Sequence, residues 1–376
     1  MAYSSHITFQ ESALVLNTTP EVESTPHRLN STLSSSSNAP YTHIEFTCLS
    51  VVLSILIILA IIGNSLVLVA MARTKKIRTV TNAFVANLSA SDCLGSFALL
   101  WSVPGMVSTT PGFPLESDVP CVMAAVLVHL TVGCSLYSLV NIALNRYILV
   151  TKPKETYQWL YTRNKIALMV LGSWLVPLCA CIIPPFGGIG EFGFDSMTRT
   201  CTVNTTHPAA DTYKVIQLAV LFPTSCVVLV SYLLIWRHVR RHFNRRQEHD
   251  TLYSTDKSTG RSTQPNDGEP VACDAHSHTP TLPLQQAHSS DQGHRIKRDQ
   301  LAVTKNLSIV ILVFVISFAP LAIMMVAKST RFYLYGEMFL LVSNCTNPLL
   351  YAAKHPHLGP VLRAMIRCKC SSDRDA

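Results

Sequence analysis

The chain has 376 residues, 48% of them apolar and only 14% charged, with a net charge of +8. Soluble domains carry about 25% charged residues, and a water-soluble fold cannot hide apolar stretches as long and unbroken as these. A basic balance suggests nucleic acid, but the placement of the basic residues points to a membrane surface instead, and no nucleic-acid partner is expected.

Residues 1–45 are polar and rich in Ser, Thr and Pro, and read as an N-terminal tail. No basic start precedes a short apolar core, so the first apolar span is expected to serve as the insertion signal. A helix needs about 20 apolar residues to cross the hydrocarbon core. Charge is absent between Glu45 and Arg73, Asp118 and Arg146, Lys165 and Glu191, Lys214 and Arg237, and Lys305 and Lys328. Between Arg78 and Glu116 the only charge is Asp92. A last span, from about Phe332 to Ala353, carries Glu337 near its start. The expectation is an all-α membrane protein, a seven-transmembrane helix bundle over residues 46–353 followed by a cytoplasmic tail over 354–376.

Lys and Arg set the direction. With the N-terminus outside, 25 of the 30 basic residues fall on the cytoplasmic side, all but Arg28, Arg199, Lys214, Lys328 and Arg331. The sequons at Asn17, Asn30 and Asn204 then lie on outer segments, where glycosylation is expected. Those at Asn87 and Asn306 lie in or beside spans and are expected to stay unmodified. Residues 237–300 form the third inner loop, rich in His, Ser, Thr, Asp and Gln, and are expected to be flexible. The spacing of the histidines is too irregular for a metal site.

Polar groups inside a membrane are costly and default to functional candidates. Asn64, Asp92 and Asn347 place oxygen-bearing groups at similar depth on three spans. Such a set suits a hard cation, or a hydrogen-bonded cluster that holds helices together, or both. Cys121 opens the third span and Arg146 closes it, about 37 Å apart at 1.5 Å per residue. Cys201 lies in the outer loop after the fourth span, where a disulfide persists, so Cys121–Cys201 is the expected pair. Cys93, Cys134, Cys179, Cys181, Cys226 and Cys345 lie within spans and are expected to be small core residues.

Short motifs recur one set per span: Gly63-Asn64 in the first, Leu88 to Asp92 as LxxxD in the second, Asn145-Arg146-Tyr147 at the end of the third, Trp174 in the fourth, Pro223 in the fifth, Phe314 with Ser317-Phe318-Ala319-Pro320 in the sixth, and Asn347-Pro348-Leu349-Leu350-Tyr351 in the seventh. In this order they resemble the first-helix, LxxxD, DRY, fourth-helix Trp, fifth-helix Pro, FxxCWxP and NPxxY motifs of the rhodopsin-like (class A) G-protein-coupled receptors.

The resemblance implies an extracellular ligand and a heterotrimeric G protein as partners, with arrestin and receptor kinases, and no enzymatic activity. Pro320 and Pro348 remove helix hydrogen bonds and permit kinks. By resemblance the sixth helix swings outward and exposes Arg146 and Tyr351, while Asp92, Ser135 and Asn347 line an allosteric sodium pocket; no other cofactor is implied.

Three departures stand out. Asn145 replaces the usual acid beside Arg146, which predicts basal signalling, with Asp299 as an alternative restraint on the arginine. Phe318 stands where a switch Trp is usual. Tyr232 lies one residue later after Pro223 than the pattern has it, so either the helix bulges or the Tyr has another part.

Beyond Tyr351, Leu358, Val361, Leu362, Met365 and Ile366 alternate with Arg363 and Arg367, the pattern of a short amphipathic helix on the inner surface, although Pro356, Gly359 and Pro360 oppose it. Cys368 and Cys370 follow, as palmitoylation sites or as plain thiols.

Val128 stands where amine receptors place an Asp, and Leu341 where opsins place the retinal Lys, so neither a typical monoamine nor retinal is expected. Candidate ligand contacts are His129, Tyr213, Gln217, Lys328, Arg331, Tyr335 and Glu337. A histidine satisfied within the bundle and a Glu337 paired with Lys328 or Arg331 are the plainer alternatives. Asn145-Arg146-Tyr147 and residues 232–236 also resemble melatonin receptors, which however usually carry NAxxY where this chain has NPxxY; orphan receptors of the Moody and Trapped-in-endoderm type share the Asn-Arg-Tyr triplet. A seven-span transporter would show internal repeats and broken midplane helices, which the sequence lacks; a non-signalling decoy or scaffold has no use for the Arg146, Asn347 and Tyr351 set.

Overall fold

The computed structural model describes residues 41–110, 112–259, 308–309, 312–324, 326–327, 331–355 and 357–367, with backbone alone over 242–259. Helix α1 runs His43–Arg73. Thr42 caps it: its hydroxyl accepts from the Glu45 amide at 3.2 Å, and Glu45 accepts from the Thr42 amide at 2.7 Å, a reciprocal box that satisfies two orphan donors. Helix α2, Val80–Leu99, is followed after a one-turn break by α3, Ser102–Val107. The single expected span is thus divided, because Pro104 has no amide proton and its ring opposes the Leu100 carbonyl one turn earlier.

Helix α4, Val119–Thr151, and the short α5, Lys154–Leu160, lead to α6, Arg163–Phe186. A hairpin absent from the sequence reading follows. Strands β1, Phe192–Asp195, and β2, Thr200–Val203, pair antiparallel with Phe194 opposite Cys201.

Helix α7 runs Ala210–Thr259. It carries the fifth span well into what was expected to be a flexible loop. The reason is local: no Gly or Pro interrupts the chain between Pro223 and Gly260, and Arg, Gln, Glu and Leu favour helix. The rest of that loop, residues 260–300, lies outside the described residues.

The sixth span is described as α8, Leu312–Met324, and the seventh as α9, Tyr333–Lys354. Among the described residues, His43–Arg73, Val80–Val107, Val119–Thr151, Arg163–Phe186 and Ala210–Arg241 are each long and apolar enough to cross a bilayer. Helix α10, Leu358–Ile366, forms despite Gly359 and Pro360. Pro360 falls in the first turn, where its missing donor is no loss. The amide of Leu358 is met by His355 Nδ1 at 3.0 Å.

The largest buried apolar cluster joins Phe84, Leu88, Leu136, Leu139, Phe314 and Tyr351 from four spans. The outward faces of the helices, by contrast, expose Ile55, Leu59, Leu168, Leu171, Val230 and Leu233, as lipid-facing surfaces do. Helices approach closely where side chains are minimal. A Cβ on Gly63 would stand 3.0 Å from the Pro348 ring, and one on Gly133 2.6 Å from Pro177.

Candidate functional site

Helices α2, α4, α7, α8 and α9 line a cavity of about 90 Å³. Its walls are mainly Leu99, Val132, Leu218, Leu221, Leu321 and Leu340, with His129, Gln217, Tyr333, Glu337 and Asn344 as polar groups. Val128 and Leu341 line it too, so the positions of the missing Asp and missing Lys both face this space. Phe318 also lines it and stacks on Phe314 at 6.0 Å, with ring planes 12° apart.

The hairpin stands over the His129 side of this cavity. Phe192 packs edge-on against His129 at 5.1 Å and against Tyr213 at 5.5 Å. The Cys121–Cys201 disulfide fixes β2 to α4 as expected, and the Cys201 amide donates to Ser102 Oγ at 3.0 Å. At its turn the buried Asp195 accepts from the Thr198 amide and hydroxyl at 3.0 and 2.8 Å, and from Thr205.

Of the seven proposed ligand contacts, His129, Gln217 and Glu337 line the cavity. Tyr213 lies one layer back, with its hydroxyl accepting from Gln217 Nε2 at 2.5 Å. Tyr335 does not face the cavity. Two residues from both Tyr333 and Glu337, it points to the other side of the helix and packs on Tyr41 and Phe332. Arg331 pairs with Glu45 at 2.8 Å rather than with Glu337, tying the start of α9 to the start of α1. Lys328 is outside the described residues. Tyr333 and Asn344 were missed; they stand four residues before and seven after Glu337, the spacing of one helix face.

Tyr41 closes this end of the bundle. Its hydroxyl oxygen accepts from the Leu334 amide at 3.0 Å, an orphan donor of the first turn of α9. Burial pushes that hydroxyl up to about 12, so it stays neutral.

Beneath the cavity lies the polar core. Asp92 is 1% exposed. It accepts from Ser135 Oγ at 2.7 Å and from Asn347 Nδ2 at 3.0 Å. Asn64 donates to the Ala60 and Asn344 carbonyls at 2.9 and 3.1 Å. The side-chain oxygens of Asn64 and Asn347 are buried without a hydrogen-bond partner among the described residues. A second node ties three helices: Asn87 donates to Ser138 and Ser173 at 2.7 and 3.0 Å and accepts from Trp174 at 2.9 Å.

At the far end, Arg146 is 4% exposed, with Tyr232 and Tyr157 within coulombic reach. Tyr232 therefore does face the arginine, and α7 remains one α-helix through it. Asn145 accepts from Thr81 Oγ1 at 2.7 Å and donates to the Tyr157 hydroxyl at 3.3 Å. Tyr147 is half-buried beside them. The Tyr351 and Tyr232 hydroxyls are buried without partners among the described residues. Pro320 and Pro348 lie inside α8 and α9, which continue as helix through them.

Of the cysteines, Cys134, Cys181 and Cys345 are buried, but Cys179 is exposed on the outside of the bundle: the helix face, not mere presence in a span, decides burial. Asn204 is partly exposed and its Oδ1 accepts from the Thr206 amide and hydroxyl at 3.1 and 2.7 Å. Asn17, Asn30, Asp299, Cys368 and Cys370 lie outside the described residues.

A helical bundle with a hairpin-covered pocket at one end and a buried arginine at the other has the layout of a multi-pass membrane receptor. The family model described as 7 transmembrane receptor (rhodopsin family) matches residues 63–351, and the chain belongs to that family, whose members are signalling receptors of the plasma membrane and not enzymes.

The G-protein coupled receptor moody of Drosophila melanogaster is 25% identical over 348 residues, 86% of this chain and 52% of that protein. Protein trapped in endoderm-1 of the same fly is 25% identical over 309 residues, covering 80% of this chain and 72% of that protein. The guinea-pig (Cavia porcellus) 5-hydroxytryptamine receptor 4 is 24% identical over 332 residues, 84% and 79% of the two chains. The chain spans about half the length of its moody relatives. The crystal structure of squid rhodopsin superposes with a TM-score of 0.66 at 16% identity over 89% of each chain, which shows the seven-helix fold.

Proposed function

We propose that this receptor has its N-terminus outside the cell, takes an extracellular ligand into the hairpin-covered cavity and activates a heterotrimeric G protein at the opposite end. The observation that carries the reading is the continuity of the polar core. Cavity-lining Asn344 is bonded through its carbonyl to Asn64, Asn347 three residues on is bonded to Asp92, and Tyr351 lies one turn further toward Arg146. Ligand and G protein each bias one two-state bundle.

The sixth helix is the moving part. Phe318 and Phe314 link the cavity to the apolar core, and Pro320 leaves α8 a helix bond short. Its outward motion gives the G protein access to Arg146 and to the Tyr232 and Tyr351 hydroxyls, whose lack of partners suits them to new hydrogen bonds.

A sodium ion fits the core, since a carboxylate and two unpartnered carbonyl oxygens form the all-oxygen set that hard cations take. Asp92, Ser135 and Asn347 would hold it, and a bound cation supplies the charge that keeps these helices drawn together in the resting arrangement. Arrestin and receptor kinases as further partners, glycans on Asn17, Asn30 and Asn204, and palmitate on Cys368 and Cys370 complete the proposal.

The test is a G-protein dissociation panel in transfected cells, first without ligand and then with pooled ligands. A signal that Arg146→Ala abolishes at equal surface expression is expected. A signal that survives the substitution, or none with any G protein, counts against the reading.

A further inference from the structure

We infer that the cavity takes the head of a small organic cation, an ammonium on a compact apolar body, with Glu337 as its counter-ion. The inference rests on the receptor reading for where the ligand binds and goes beyond it in ligand chemistry.

Among the described residues that line the cavity, Glu337 is the only carboxylic acid, and none is Lys or Arg. Arg331, six residues before it, is bonded instead to Glu45 at 2.8 Å. The buried Asp195 carboxylate of the hairpin, of the same sign, lies within coulombic reach of Glu337. A carboxylate in a mostly apolar enclosure is costly unless paired. The Tyr333 hydroxyl hydrogen-bonds Glu337 but brings no charge to balance it; a ligand cation supplies that charge, and the surrounding low dielectric strengthens the pair.

The neutral polar groups agree with a donor-bearing ligand. His129 Nδ1 lies 2.9 Å from the Ala125 carbonyl. A carbonyl only accepts, so Nδ1 carries the proton and the neutral ring's Nε2 is an acceptor. Gln217 spends an Nε2 proton on the Tyr213 hydroxyl, which leaves its carbonyl oxygen as an acceptor. An ammonium has donors and no acceptor; a carboxylate ligand would face Glu337 with like charge.

Size bounds the ligand. A cavity of about 90 Å³ is small beside the ~300–1,000 Å³ of drug-sized sites, so the buried head has few heavy atoms, with Val132, Leu221, Leu321 and Leu340 against its apolar part. The charge is held from the seventh span. Val128 on the third cannot hold it, so the ligand lies in the cavity with its cationic end turned toward α9.

The test uses three probes with one branched five-carbon body: isoamylamine, isoamyl alcohol and isovalerate. The purified full chain is heated in lipid nanodiscs with each at millimolar concentration, without G protein. The expected result is a raised Tm with the amine alone, and an apparent affinity about 10- to 100-fold weaker in Glu337→Gln, the loss of one charge-assisted hydrogen bond. Isovalerate or the alcohol stabilising as well as the amine overturns the inference, as does no shift with the amine. Undiminished amine binding in Glu337→Gln also overturns it. The wild-type comparison of probes stands even if that variant fails to fold. Amine binding without any G-protein signal sinks the coupling proposal and not this one. A ligand-independent G-protein signal without amine binding does the reverse.

Discussion

At the residue scale, the departures from the family motifs are the informative positions. Asn145 is held neutrally by Thr81 and Tyr157. An aspartate there would keep the Thr81 and Tyr157 bonds, now as an acceptor, and add a negative charge beside Arg146. Asn145→Asp is therefore expected to lower ligand-independent signalling, read by G-protein dissociation at matched expression; an equal or higher basal level would contradict this. His355, at the junction of α9 and α10, gives a pH dependence. Burial, then the positive charges of Arg146 and His357, holds its imidazole down from 6.5 to about 4. Its Nδ1 accepts from Leu358, so protonation there breaks the cap of α10. The folded pKa lies below the unfolded one. The stabilisation is thus complete above pH 6.5 and fades as pH falls toward 4, by about 3 kcal/mol in all. Tm measured from pH 7 to 4.5 should fall more steeply in the wild type than in His355→Asn; parallel curves would refute the assignment.

At the scale of elements, packing between helices is set by what is absent from the contact. Gly133 meets Pro177 so closely that Gly133→Ala must part α4 from α6, at about 1–3 kcal/mol. Gly172 is also helical but has nothing within 4 Å of a would-be Cβ. Gly172→Ala is expected to be neutral or stabilising by up to about 1 kcal/mol. The thermal unfolding temperature should fall for Gly133→Ala and hold or rise for Gly172→Ala; a Gly133→Ala variant as stable as the unsubstituted protein would show the close approach to be misplaced.

These contacts also show what the sequence could and could not reveal. The spans were legible because charge in lipid is so costly that the chain marks its own crossings. The disulfide was legible because both cysteines fall at the same end. The hairpin was not, since eight residues of strand carry too short a pattern. Tyr335 was wrongly assigned to the cavity and Tyr333 overlooked because composition was read without helix phase. Arg331 was misassigned because its partner, Glu45, is 286 positions away and no local rule joins them.

At the scale of the whole molecule, the chain is one bundle with a covered cavity at one end, an oxygen-rich core and a buried arginine at the other. In the proposed activation α8 turns at Pro320 and moves away from α4 when the G-protein end is engaged. The most direct measurement is electron–electron resonance between spin labels at Trp159 and Leu312, both exposed, in the full chain in nanodiscs. Addition of nucleotide-free G protein should shift the distance distribution to longer values, and should leave it unshifted in Arg146→Ala. A distribution that stays put in the unsubstituted protein while the G protein is demonstrably bound would contradict the account.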